Sequence, residues 1–443
     1  MPHYDVIVIG ARVAGAATAL LLAREGLRVL AVDRAGFPSD TLSTHQIQVP
    51  GVGRLRRWGL LQRLRDAGTP ATRRVRFDAS GVVLDGHYPT YDGVDALLSP
   101  RRTVLDALLV EAAREAGAEV RERFVVEDLV GEDGRVTGIR GTPRGGSGRP
   151  ETLGAALVVG ADGKRSRVAR AVGAAAYRIQ PERTFAAYAY WSGLEGSGGE
   201  LYQRPGLAVP VFPTNDALTM VGVLAPRDEL DGFRRDPQAR FLEALDGCGD
   251  LGERARDAER VERLRFAPDL PQEFRVPYGP GWALVGDAGL VLDPISAMGI
   301  THAFRDAETL AAAVAENHRA GRSLDSGLAD YHRTRDAGSR AMFDFTARLT
   351  ADVARRRPLR LGQRLLLRSL ADRPLEIERF LGVLAGVEPA DSYLSAGNVT
   401  RLLLRHDDRR HDDRRHDDRG HGDRGHGDRR AARVRAAAGG AER

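Results

Sequence analysis

Lysine is almost missing from this sequence: Lys164 is the single one among 66 basic residues, and the rest are arginine. Chemistry that needs a further lysine amine is thereby removed. Cysteine is equally scarce. Lone Cys248 excludes an intrachain disulfide framework, a Cys-x-x-Cys redox pair and a thiolate zinc cluster. No apolar run is long enough to span a bilayer. The N-terminus has no basic segment followed by an apolar one, which makes a cytoplasmic enzyme the default expectation. A basic face is not evident either. The net charge is +5, yet after residue 404 there are twelve Arg against eight Asp and one Glu, which leaves only +2 for the first 404 residues. Nucleic-acid binding is not expected from that balance.

The chain has 443 residues, 42% of them hydrophobic, enough for two cores or one large α/β domain with a second layer. Tyr4 to Ile9 is a short apolar run ending at Gly10. Small and apolar residues from Ala14 to Glu25 suit a helix packed closely on a sheet. Leu27 to Val32 is a second apolar run, ending in Asp33. Strand, glycine turn, helix and strand in that order open a parallel sheet. A helix over Thr103–Ala116 and a strand over Ala118–Val126 are expected next. Arg135–Arg140 reads as one side of a hairpin, and residues 142–150 as an exposed loop. Leu157–Gly160 and Ala283–Val285 return to the buried-strand pattern. Between them, Thr184 to about Leu224 and Val261–Phe266 suggest antiparallel strands.

A helix follows from about Ile300 to Asn317, and residues 325–386 read as amphipathic helices. His406, His411, His416, His421 and His426 then recur every five residues in a His-Asp-Asp-Arg-Arg pattern. That period fits neither helix nor strand, so the tail reads as a solvated, disordered expansion, not a metal site. The expected divisions are 1–183 (with a substrate-layer segment near 73–100), 184–275, 276–323, 324–404 and the tail 405–443.

Three motifs point to a cofactor. The first is Gly10-Ala11-Arg12-Val13-Ala14-Gly15, with Asp33 at the end of the next strand. Gly10 suits a tight turn, the helix N-terminus faces a pyrophosphate, Gly15 permits close helix–strand packing, and Asp33 suits a ribose 2′-hydroxyl. An acidic Asp33 favours the AMP part of FAD or NAD over NADP. The second motif is Gly160-Ala161-Asp162-Gly163-Lys164-Arg165-Ser166-Arg167-Val168. The third is Val285-Gly286-Asp287-Ala288, followed by Asp293-Pro294-Ile295-Ser296-Ala297-Met298-Gly299-Ile300.

In these motifs, their order and their spacing, the chain resembles the single-component FAD-dependent hydroxylases typified by para-hydroxybenzoate hydroxylase. Geranylgeranyl reductases and flavin halogenases share much of that framework. The resemblance implies a Rossmann-type FAD-binding parallel sheet with an inserted, mostly antiparallel β substrate layer and C-terminal helices. By it, FAD would be held by Gly10, Arg12, Val13, Ala14, Gly15, Asp33, Arg34, Arg102, Val126, Asp162, Gly163, Gly286, Asp287, Pro294, Gly299 and Ile300. Asp287 would take the ribityl chain and Asp162 the flavin-side pyrophosphate region. Arg102 would reach the cofactor, or else be a solvated cation at a helix start. The helix from Pro294–Ile300 would present backbone N–H groups to the N1–C2=O edge of the flavin. Ala297 and Met298 depart from the family's glycine and glutamine. Ala169 stands where an arginine is usual, with Arg170 one place late.

The implied activity is an NAD(P)H-dependent monooxygenase. NADPH or NADH is a transient reductant, molecular oxygen gives a flavin C4a-hydroperoxide, and an aromatic or polyketide-like small molecule is hydroxylated. The alternative is a reductase or desaturase of an isoprenoid or polyketide. Halogenation is disfavoured, because flavin halogenases use a lysine between flavin and substrate and a Trp-x-Trp-x-Ile-Pro stretch. His45, in Asp40–Gln46, is the candidate catalytic residue: a base, a substrate-orienting group, or a side chain that only hydrogen-bonds its loop. Phe185, Tyr188, Tyr190, Trp191, Tyr202 and Phe212 face substrate or form a sheet core.

Overall fold

A computed structural model describes residues 3–43, 45–144, 148–196 and 198–404. The His/Asp/Arg repeat tail lies outside the described residues, as do Thr44 and part of the loop expected at 142–150.

The opening apolar runs form the centre of a sheet. His3–Ile9 lies between Val29–Val32 and Glu151–Gly160, parallel to both. Trp282–Leu284 adds in parallel beyond Glu151–Gly160, and Glu119–Arg121 in parallel beyond Val29–Val32. Strands buried on both faces need apolar residues at successive positions, and Val6, Ile7, Val8, Val158 and Val159 are fully buried. The helices Val13–Arg24, Arg102–Glu115 and Gly299–Arg319 join one core on one face. Alanines at 16, 17, 19 and 23 keep the first of them thin enough for close packing. An antiparallel ribbon, Phe124–Glu132 with Arg135–Pro143, pairs with the start of Glu151–Gly160 and shares the core on the other face.

The strand expected over Ala118–Val126 is in fact two. Arg123 turns left-handed at φ 53° and separates the parallel strand Glu119–Arg121 from the ribbon strand that starts at Phe124.

A second sheet runs in the order Glu259–Arg260, Thr184–Ser192, Leu218–Pro226, Leu207–Pro213, Gly199–Arg204, Arg74–Ala79, Val82–His87. Its pairs are antiparallel apart from Gly199–Arg204 with Arg74–Ala79. The sheet alternates sides along Thr184–Ser192. Phe185 and Trp191 turn toward the short helices between Leu230 and Asp257. Tyr188 and Tyr190 turn the other way, into a core shared with Leu366, Leu370, Ile377 and Phe380 of the C-terminal helices. The fold is therefore mixed α/β: a parallel cofactor-type sheet, a mostly antiparallel layer and C-terminal helices.

The long helix Leu328–Ala354 joins the parts. Its fully buried Arg335 donates to the carbonyls of Gly289 and Arg275 at 3.2 and 3.0 Å and to the Tyr177 hydroxyl at 2.9 Å. Tyr331 donates to the Leu284 carbonyl at 2.7 Å. Among the described residues no helix is long and apolar enough to cross a membrane.

Candidate active site

The three motifs sit on three neighbouring strands, so about 275 residues of sequence close into one set of turns. Their glycines are the points of contact. Gly10 is left-handed at φ +98°, and a Cβ there would stand 2.5 Å from the carbonyl oxygen of Ala161 in the second motif. A Cβ on Gly15 would stand 1.7 Å from the Gly10 oxygen. At φ +56°, Gly286 brings the third motif so close that a Cβ would lie 2.8 Å from the Ala14 side chain. Only glycine meets these demands.

The helix Val13–Arg24 starts directly over this junction. The N–H groups of Val13, Ala14 and Gly15 belong to its first turn and have no intrahelical partner, which leaves a positive end for a diphosphate. Asp33 holds the turn in place. One oxygen accepts from the Ala11 N–H and the other from the Ala35 N–H, both at 2.8 Å, with a second lone pair left on each for a ribose. Arg34 beside it is exposed. Val126 offers its carbonyl to the Arg167 guanidinium at 3.3 Å.

Arg12 and Arg102 share one carboxylate. Fully buried Asp106 accepts from Arg12 at 2.8 Å and from two nitrogens of Arg102 at 2.9 to 3.1 Å. Burial pushes the Asp106 carboxyl up, against the pull of the two guanidinium groups. Arg102 is thus a clamped side chain, not a solvated helix-start cation.

Asp162 spends its carboxylate locally. It accepts from the Ser166 hydroxyl at 2.5 Å and from the N–H groups of Arg167 and Val168 at 2.6 and 3.3 Å, while Gly163 turns left-handed at φ +81°. Its side chain shapes the loop and orders the start of the helix Arg167–Ala171, whose N-cap is Ser166.

Asp287 is different. Among the described residues it has no side-chain hydrogen-bond partner and its side chain is accessible, yet protein crowded around it pushes its carboxyl up, with Arg102, Lys164 and Arg275 pulling the other way. A carboxylate with no partner, next to Gly286 and its close approach to Ala14 at the helix N-terminus, fits the hydroxyl-rich ribityl chain of FAD.

The last segment of the third motif follows directly. Asp293 accepts from the Ile295 N–H at 2.9 Å and from the Thr184 hydroxyl, and burial raises its pKa to about 6. Pro294 starts a short turn, and Ala297 takes the left-handed φ of 51° where glycine is usual in the resembled family. Met298 is buried against Gly386 and does not point outward. The helix then begins at exposed Gly299 and buried Ile300, with no acidic residue in its first turn. Its N-terminal amides suit the N1–C2=O edge of a flavin.

His45 is buried at the boundary of the two sheets, in the left-handed region at φ 60°. Its Nε2 pairs with the Tyr190 hydroxyl, and the two rings stack with centroids 5.7 Å apart. Its Nδ1 has no partner among the described residues. Burial, then the charges of Arg102, Arg101 and Arg265, lower its pKa to about 3. Arg101 lies over the Tyr190 ring, 4.3 Å from the centroid, and bonds Glu262. Asp40 pairs with Arg265 at 2.9 Å. His302, by contrast, is enclosed in the helix Gly299–Arg319, its pKa well below the ordinary value through burial.

Sequence reasoning missed Asp106, Arg101 and Arg265, and had not singled out Tyr190 from the other aromatics. Alternation along Thr184–Ser192 separates Tyr188 and Tyr190 from Phe185 and Trp191, and that signal was readable. Asp106 stands four residues after Arg102 on one helix, a spacing that was readable; its pairing with Arg12 left no local signal.

The family model described as FAD binding domain matches residues 3–190. The chain is an FAD-dependent oxidoreductase. A digeranylgeranylglycerophospholipid reductase of Methanocella arvoryzae is 28% identical to it over 352 residues, covering 74% of this chain and 82% of that one. The structure of the flavin-dependent brominase Bmp2 superposes with a TM-score of 0.75 at 21% identity, covering 92% of this flavoprotein and all of the brominase. PqsL of Pseudomonas aeruginosa, a probable FAD-dependent monooxygenase, gives a TM-score of 0.66 at 22% identity over 86% of this chain and 99% of its own. At such identities the two solved structures speak to the fold alone. Lys164 donates to the Asp269 carbonyl, and its charge reaches Asp287 and Asp293.

Proposed function

We propose that this flavoprotein is an NAD(P)H-dependent monooxygenase that hydroxylates an aromatic or polyketide-like small molecule. The observation that carries the reading is His45: a neutral, buried imidazole paired with Tyr190 at the seam of the cofactor sheet and the antiparallel layer. Asp287, the Val13–Gly15 amides and the Gly299–Ile300 helix start would hold FAD, with Gly10 and Gly286 giving it close backbone approach. Bound FAD supplies reduction by the nicotinamide and activation of oxygen.

The chain's own residues would prepare the substrate. A pKa near 3 makes His45 a poor store for a proton, so its part is orientation more than proton abstraction. With Nε2–H donated to Tyr190, Nδ1 keeps its lone pair for a substrate hydroxyl. The field of Arg101, Arg102 and Arg265 that disfavours an imidazolium favours a phenolate, the electron-rich form of a ring about to accept oxygen. Burial of the pair keeps water from the reacting centre.

Reduction of an isoprenoid is the second reading, favoured by the 28% identity to the lipid reductase. Two measurements test the site and the reaction. Asp287→Ala is expected to purify colourless and to bind added FAD at least about tenfold more weakly; undiminished binding overturns the cofactor assignment. Oxygen uptake with NADPH is then followed across phenolic polyketides and prenyl lipids, with and without bromide. A product heavier by one oxygen supports hydroxylation. A product formed without oxygen supports reduction, and a brominated product overturns both.

A further inference from the structure

The near-neutral body of the chain hides one strongly charged patch, which the overall charge balance conceals. Arg355 to Arg357 follow the long helix directly, and Arg360, Arg364 and Arg368 follow on or beside the helix Leu361–Leu370. From 355 to 375 the only acidic residue is Asp372. Arg356 is taken by Asp228 and Glu229. The other five arginines are exposed, and among the described residues none is paired with a carboxylate.

The helix Leu361–Leu370 has two apolar sides. Leu366, Leu367 and Leu370 pack inward, into the core that also holds Tyr188 and Tyr190. At 3.6 residues per turn, Leu361, Arg364, Leu365 and Arg368 form the opposite stripe. Leu361 is 74% exposed, Leu365 46%, and Leu375 at the start of the next helix 76%. Folding does not account for leucines held out on the far side of a helix.

Each candidate occupant must satisfy both the charge and the leucines. A second copy of this face would set arginine against arginine in a two-fold contact. A nucleic acid would take the arginines and leave the leucines in water. An anionic bilayer takes both: the guanidinium groups meet headgroup phosphates, and the leucines enter the acyl boundary. We propose that the Arg355–Leu375 face docks this protein on an anionic lipid surface, with Leu361 and Leu365 as the inserted tips. The assignment goes beyond the reaction proposed above and does not depend on it.

The test uses the full-length, FAD-loaded protein sedimented with phosphatidylcholine vesicles, with and without roughly one-third phosphatidylglycerol. Binding is expected to the anionic vesicles alone. It should weaken at least about tenfold in Arg364→Glu/Arg368→Glu and in Leu361→Ser/Leu365→Ser. An unchanged flavin spectrum in both variants shows that the fold is intact. Failure of the parent protein to bind anionic vesicles overturns the proposal, as does undiminished binding of either variant. Duplex DNA that binds the parent and the leucine variant alike, is lost in the arginine variant and strips the parent from anionic vesicles assigns the arginines to nucleic acid and overturns it too. So does a lipid-free dimer that the leucine substitutions dissociate.

Discussion

Among the described residues two buried histidines have their pKa pushed down, and that bears on how the fold meets acid. His45 has its pKa lowered to about 3, and His302 well below the ordinary value. In the unfolded chain both would titrate near 6.5. Between those limits the unfolded state binds the proton and the folded state does not. Stability from these groups is therefore complete above about pH 6.5 and falls as the pH drops. The expected slope is about 1.4 kcal/mol per pH unit for each histidine, an order-of-magnitude figure. Urea midpoints between pH 7 and pH 5 check it. Changing His45 to Gln should flatten the dependence, and an equal slope in the variant would show that other groups set it. The same substitution should lower turnover while FAD stays bound.

At the scale of elements, the turn before the flavin helix carries the family departure that matters most for geometry. Ala297 occupies a left-handed φ of 51°, a conformation costing roughly 1 kcal/mol in a residue with a Cβ. Ala297→Gly relieves that strain but frees the unfolded chain. The two effects nearly cancel, so the melting temperature should move little. A loss of more than about 2 kcal/mol would mean that the Ala297 methyl packs against something essential. What was legible in the sequence follows the same division between local and distant causes. The Gly10–Gly15 turn could be read because the closeness of Gly15 to the Gly10 carbonyl falls within six residues, whereas the approach of Gly10 to Ala161 could not. The split of Ala118–Val126 could not, since Arg123 takes a left-handed turn that no glycine announces. Asp162 was read as a cofactor ligand from its motif, while its bonds to Ser166, Arg167 and Val168 are a matter of side-chain direction. The pairing of Arg12 with Asp106 spans 94 residues, and Tyr190 reaches His45 across 145. Pairings at such distances are set by the fold and leave no periodic trace.

For the molecule as a whole, the long helix Leu328–Ala354 is the member that the cofactor turn leans on. Arg335 and Tyr331 reach from it to Gly289, Arg275, Tyr177 and Leu284, the chain on both sides of Asp287. Changing Arg335 to Met leaves two carbonyls and Asp336 without their buried cation. The expected cost is about 3 kcal/mol of stability. FAD affinity should fall as well, although Arg335 touches none of the assigned cofactor residues. Calorimetry of the cofactor-free protein and FAD titration separate the two effects. A stability loss with unchanged affinity would confine the helix to a scaffolding part.

Lys164 gives this architecture an unusual chemical property. An amine-acylating reagent finds one lysine in the whole chain, in the Asp-Gly loop and within electrostatic reach of Asp287. Apart from the tag on the N-terminal amine, a single acyl tag, located by peptide mass, would report on that loop alone. Protection of Lys164 from the tag as FAD is added would follow cofactor loading without reference to the flavin's colour.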